Sequence, residues 1–233
     1  MVIIKPQFCG PSSSGNGGYT SGLVAQEFGA VAQVTLQKPP PLERELAFVR
    51  NSVLELIDAE LGVIAFAKPG QLGNEIAGFV EPERITAALP HFPHDDHPFP
   101  RCFTCGTDRH LGDGLQIYSP FLGDGVAAGI WRPHESFFIQ GEVPTPIMWA
   151  AMDCPGYWAA GPGAQPAVLG RMTGEVLRNV KPNADYISVG QLVAKDGRKI
   201  SSLTAIFDLA GELIARSEQT WIEIDRLAFE PGV

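Results

Sequence analysis

The chain has 233 residues, 45% of them hydrophobic and 18% charged, a globular composition with room for one large domain or two of about 100 residues. A net charge of −9, from 26 acidic and 17 basic side chains, argues against nucleic acid as a partner. No apolar run reaches the roughly 18 residues of a membrane span, and MVIIKPQFCG lacks the basic start and long apolar region of a secretory signal. Cys9, Cys102, Cys105 and Cys154 are therefore expected as reduced thiols in a cytoplasmic protein, away from any membrane.

In chain order, GNGGYTSGLVAQEFG (15–29) opens on glycine and places Leu23, Val24 and Phe28 at helical spacing. The segments 31–49 and 53–67 alternate apolar and polar residues, as strands do. HFPHDDHPFPRCFTCG (91–106) is rich in Pro, His and Asp and reads as a connection. It divides the chain into an N-terminal part, 1–90, and a C-terminal part, 91–233, that begins with the connecting segment. GEVPTPIMWAAMDCPGYWAA (141–160) is apolar nearly all round, yet carries one carboxylate and a Pro-Gly pair. Strand-like runs follow at 171–193 and 200–224. Arg171, Arg178, Lys181, Lys195, Arg198 and Lys199 gather basic charge there, for a small anion or merely as a solvated strand face.

The plan occurs twice. Lys38-Pro39 corresponds to Lys181-Pro182, and ELIDAELGVIA to AIFDLAGELIA, with Asp-containing turns at the same place. One apolar helix followed by several strands, with no helices between them, predicts an α+β fold: antiparallel sheets wrapped around two central helices.

These residues resemble the hotdog-fold thioesterases. CFTCGTDRHLGDGLQIYSP is similar to the first-strand region of small hotdog proteins. VLRNVKP and DGRKISSLTAIFDLAGELIARSEQTWI resemble the closing strands. The whole is similar to a single-chain double hotdog of the acyl-CoA thioesterase II type, its first half trimmed. The resemblance implies hydrolysis of an acyl-CoA or other acyl thioester, no cofactor, and further homo-oligomerisation of double-hotdog chains.

It also implies a site. Amides at the start of the central helix would polarise the thioester carbonyl, and an acid some nine residues on would attack it or activate water. Asp153 is that acid. Nine residues before it stands Pro144-Thr145-Pro146, where prolines remove two donors. The first half has Asn16-Gly17-Gly18 at its own helix start but only Ala25 or Gln26 at the acid position. The reading is one composite site per chain, with Gly17 and Gly18 facing Asp153. Carried over by position, Gln219 fits the family's glutamine, and Thr173 fits its threonine within one residue, a shift that would turn it to the other face. Thr145, Trp149 and Tyr157 are placed along the acyl path.

Three alternatives stand beside this reading. Asp153 could be structural, although a carboxylate cannot donate to the carbonyl that Pro155 leaves unpaired. The chain could be a non-catalytic acyl-binding or interaction protein that kept the fold. Cys102 and Cys105 form a lone CxxC, a weak metal signal that histidines would have to complete. No metal is expected, and Cys154 reads as a small buried apolar residue.

Overall fold

The computed structural model describes residues 1–225. In the first half, α1 (Gly17–Phe28) lies between β1 (Val2–Ile3) and a run of four strands: β2 (Ala32–Leu36), β3 (Glu45–Arg50), β4 (Leu54–Asp58) and β5 (Gly62–Pro69). A short helix, α2 (Pro82–Ala88), precedes the connecting segment. The second half begins with β6 (Phe121–Gly123) and β7 (Val126–Trp131), then α3 (Thr145–Asp153) and α4 (Pro155–Trp158). It closes with β8 (Ala167–Val176), β9 (Tyr186–Asp196), β10 (Lys199–Asp208) and β11 (Leu213–Glu223). Among the described residues, eleven strands join one antiparallel sheet, in the order β1-β3-β4-β5-β2-β8-β11-β10-β9-β7-β6.

Read from its centre, that order repeats. β2, β5, β4, β3, β1 run outwards on one side and β8, β11, β10, β9, β7 on the other. The centre is the antiparallel pairing of β2 with β8, from Ala32 opposite Gly174 to Thr35 opposite Arg171. The turns repeat as well. Asp58 Oδ1 accepts from the amides of Glu60 and Leu61 at 2.9 and 2.8 Å, and Asp208 Oδ1 from those of Ala210 and Glu212 at 3.0 and 2.9 Å. Each turn closes on a glycine with positive φ, Gly62 and Gly211. The duplicated sequence thus folds into duplicated topology.

Arg44 locks the first of these turns through a 2.7 Å contact from Nε to Asp58 Oδ2. Together with the Leu61 and Glu60 amides, it holds the Asp58 carboxyl well below the usual carboxylate range. A depressed carboxylate adds stability above its unfolded value of about 3.9, and that contribution fades as pH falls below it. Unfolding midpoints measured by denaturant at descending pH should therefore drop more steeply in the wild type than in Asp58→Asn below about pH 4.

Helices α1 and α3 lie side by side, antiparallel, on one face of the sheet. Gly18 and Gly22, one turn apart, make this possible. A Cβ on Gly18 would fall 2.7 Å from Asp153 Cβ, and one on Gly22 2.5 Å from Pro146 Cα. The break at Pro155-Gly156 has a similar cause. A Cβ on Gly190 of β9 would meet the Pro155 carbonyl oxygen at 1.9 Å, and one on Gly156 would meet Gln219 Oε1 at 2.0 Å. The α3–α4 junction is pressed directly onto the sheet, and only glycine leaves room there.

One expectation is corrected. Residues 102–119 contain no strand beyond the isolated Leu111–Gly114 bridge, and the second half's first strands lie later, at β6 and β7. Tertiary hydrogen bonds hold this segment in an irregular path. The Phe103 amide donates to the Cys9 carbonyl at 2.7 Å. Buried Arg109 donates to the carbonyls of Arg101 and Gln7 and to Asp113. The segment is thereby tied to the N-terminus instead of the sheet.

Candidate functional site

The first amides of a helix have no acceptor within it. At α1, Asn16 caps one of them: its Oδ1 accepts from the Tyr19 amide at 2.8 Å. The same side chain turns its Nδ2 to Asp153 Oδ2, also at 2.8 Å. The start of α1 and the end of α3 are therefore joined through one buried asparagine. The Gly18 amide lies close enough to favour the charged carboxylate. The structure thus brings the start of α1 and Asp153 of α3 against each other.

Asp153 is only 2% exposed, and its Oδ1 has no hydrogen-bond partner among the described residues. Burial, chiefly, and then the neighbouring Cys102 push its carboxyl up to about 8 against the pull of Gly18 and Asn16. It lines a cavity of about 240 Å³ together with Asn16, Gly17, Leu169, Tyr157 and Trp221. Lys38 stands among the lining residues as an exposed cation, its ammonium donating to the Leu61 carbonyl. The basic residues gathered in the second half lie outside this lining. Lys195 pairs with Glu223 at 2.5 Å, while Arg178 lies toward Asp208 and Glu212.

The end of α3 shows what the Pro-Gly pair does. Pro155 has no N–H for the Ala151 carbonyl, and Ser188 Oγ donates to it instead at 2.7 Å. Thr104 Oγ1 serves the Ala150 carbonyl at 2.8 Å, and Gln219 Nε2 the Met152 carbonyl at 2.7 Å. Three polar side chains thus fasten three successive carbonyls directly before Asp153. The carboxyl takes no part in this repair.

No protein-family model and no curated protein matches the sequence. Solved structures do. A putative thioesterase from Novosphingobium aromaticivorans superposes with a TM-score of 0.61 at 10% identity, over 96% of this chain and 94% of the other. The tesB protein of Mycobacterium avium subs paratuberculosis superposes with a TM-score of 0.57 at 10% identity, over 93% and 90%. This chain shares their fold. The shared fold spans both halves, so the likeness covers the whole arrangement around α1 and α3.

Within that fold the expected residues divide. Asn16, Gly17, Asp153 and Tyr157 meet at the cavity, and Gly18 is wedged against Asp153. Gln219 lies on the helix-facing side of β11, but its hydrogen bonds are spent inside the protein. Besides Met152 it contacts Thr204 and Ser217, and Oε1 accepts from Trp221 Nε1 at 2.8 Å. Thr173 is on the other face. Its neighbours on β8 show this: Met172 pairs with Gln219, and Gly174 approaches the Trp149 ring. Thr173 instead accepts from Gln33 at 3.3 Å, beneath Gly70. The one-residue shift turned it away, as alternation in a strand requires. Thr145 begins α3, eight residues and about 12 Å from Asp153, and Trp149 packs on Gly174 outside the cavity.

One contributor escaped the sequence reading, and another stood in it only as one of the histidines near the CxxC. His97, in the connecting segment, is buried in the cavity wall with Nε2 3.3 Å from Cys105 Sγ. Cys154, taken alone as an apolar residue, has its Sγ 3.6 Å from that of Cys102. CxxC followed by glycine was the available signal. The third cysteine was hidden by 48 intervening residues of chain.

Proposed function

We propose that this protein is a double hotdog that hydrolyses an acyl thioester, in the first instance an acyl-CoA, at Asp153. One observation carries the proposal: a buried carboxyl, one of its oxygens without a partner among the described residues, lines a cavity beside the start of a helix. Unpaired buried acids are costly and concentrate at working sites.

The thioester carbonyl would enter over Gly17, whose amide points along the positive end of α1. Asn16 keeps Asp153 Oδ2 in place and leaves Oδ1 for the reaction. As base, the carboxylate removes a proton from water; the hydroxyl adds to the carbonyl carbon, and the carbon–sulfur bond breaks. The proton then passes from Asp153 to the departing thiolate. As nucleophile, Oδ1 adds to the carbon itself and expels the thiolate, and water cleaves the resulting anhydride. The volume of about 240 Å³ suits a short or compact acyl group. Lys38 is the cation nearest to hand for the carrier's phosphates. Gln219 acts as a positioning residue that fixes the end of α3.

A non-catalytic acyl-binding protein is the second reading, favoured by Pro144-Thr145-Pro146, whose two prolines remove two amide donors at the start of α3. Free-thiol release from acyl-CoAs of graded chain length separates the two. The proposal expects turnover of at least one short-chain member. Tight binding of acyl-CoA with no thiol released at any length would install the second reading instead.

A further inference from the structure

Beneath Asp153 the cavity wall holds a cluster that thioester hydrolysis does not use. Cys102 and Cys105 come from the pinned segment after the connection, and Cys154 from the α3–α4 junction. Their Sγ atoms all lie within 4.8 Å of one another, and all three side chains are buried free thiols. We propose that Cys102, Cys105 and Cys154 together bind one soft divalent cation, zinc by its coordination preference, with the fourth position open toward the cavity.

Distance is the first argument. Thiolates held at about 2.3 Å around a tetrahedral zinc lie roughly 3.8 Å apart. Cys102 and Cys154 are already at 3.6 Å. The local build is the second. The Gly106 amide donates to the Cys102 carbonyl at 2.8 Å, closing the CxxC turn so that both sulfurs point the same way. Glycine is required there, because a Cβ would meet the Cys102 and Pro100 carbonyl oxygens at 2.5 Å. The third argument is the ring of donors. Asn16 Nδ2 approaches the Cys102 sulfur at 3.7 Å. His97 Nδ1 accepts from the Phe99 amide at 3.0 Å, so its neutral ring carries the proton on Nε2, toward Cys105. A soft cation binds such sulfurs as thiolates, releasing their protons on uptake.

Two plainer accounts explain less. Cysteines buried only as small apolar residues have no need for three sulfurs from two distant segments to converge. A disulfide between Cys102 and Cys154 would use two of the three sulfurs and leave the convergence of Cys105 on them unexplained.

Cobalt uptake by the reduced, metal-stripped full-length protein tests the proposal without any substrate, so its outcome is independent of the hydrolase reading. One equivalent of Co²⁺ should produce intense thiolate-to-cobalt charge-transfer absorption and the visible bands of a tetrahedral ion. One equivalent of Zn²⁺ should abolish both. Cys154→Ser and Cys102→Ser should lose the charge-transfer signal, while Cys9→Ser, outside the cluster, keeps it. The folded wild type failing to give that signal would overturn the assignment, whatever the variants do. So would an unchanged signal in folded Cys154→Ser, or a native Cys102–Cys154 disulfide whose reduction restores no metal uptake.

Discussion

Asp153→Asn should lower the turnover of a good acyl-CoA substrate by about a hundred- to ten-thousand-fold, with KM changed only a few-fold. The substitution is nearly isosteric. It keeps an oxygen for the Asn16 amide, which donates at 2.8 Å in the wild type, and it leaves the close packing against Gly18 intact. What it removes is the capacity to take a proton from water or to attack carbon. Stability should move the other way. A carboxyl buried with one oxygen unpartnered opposes folding when ionised, so the melting temperature of Asp153→Asn should equal or exceed that of the wild type. Calorimetry beside steady-state kinetics checks both halves. Retained turnover would remove Asp153 from the reaction.

Gln219→Ala should lower the unfolding free energy by about 2–5 kcal/mol, since two buried polar partners lose their hydrogen bonds at once. These are the Met152 carbonyl, served at 2.7 Å, and Trp221 Nε1, which donates to the glutamine at 2.8 Å. The Met152 carbonyl immediately precedes Asp153, so α3 should fray at its working end and turnover should fall with stability. Denaturant titration with kinetics on the same sample reads the two together. A large loss of kcat with an unchanged unfolding midpoint would instead place Gln219 against the reacting atoms, the role carried over from its sequence position.

The legible parts of this molecule were those set by local chemistry. Asp58 and Asp208 announce their turns because a short carboxylate in that position accepts from the next amides, and the matching turns made the duplication readable. Asn16-Gly17-Gly18 marked a helix start for similar reasons, and the missing acid at Ala25 or Gln26 pointed to a single site shared by the halves. What could not be read was set across the chain. Thr173 missed by one residue because pleating reverses facing at every step, and no local signal counts the irregularity between Thr220 and Trp221 in the neighbouring pairing. Residues 102–119 look strand-like in places but are held by Arg109 and Cys9 from elsewhere. Cys154 and His97 joined the CxxC only through tertiary approach. The spacing of Gly18 and Gly22 was available as a helix-contact signal, since paired small residues one turn apart let two helices come close.

The most direct measurement is a crystal structure of Asp153→Asn bound to a non-hydrolysable acyl-CoA analogue. The account requires one analogue per chain, its carbonyl oxygen about 3 Å from the Gly17 amide and its carbonyl carbon facing residue 153. An analogue seated elsewhere, or with its acyl group outside the cavity between α1 and α3, would contradict it.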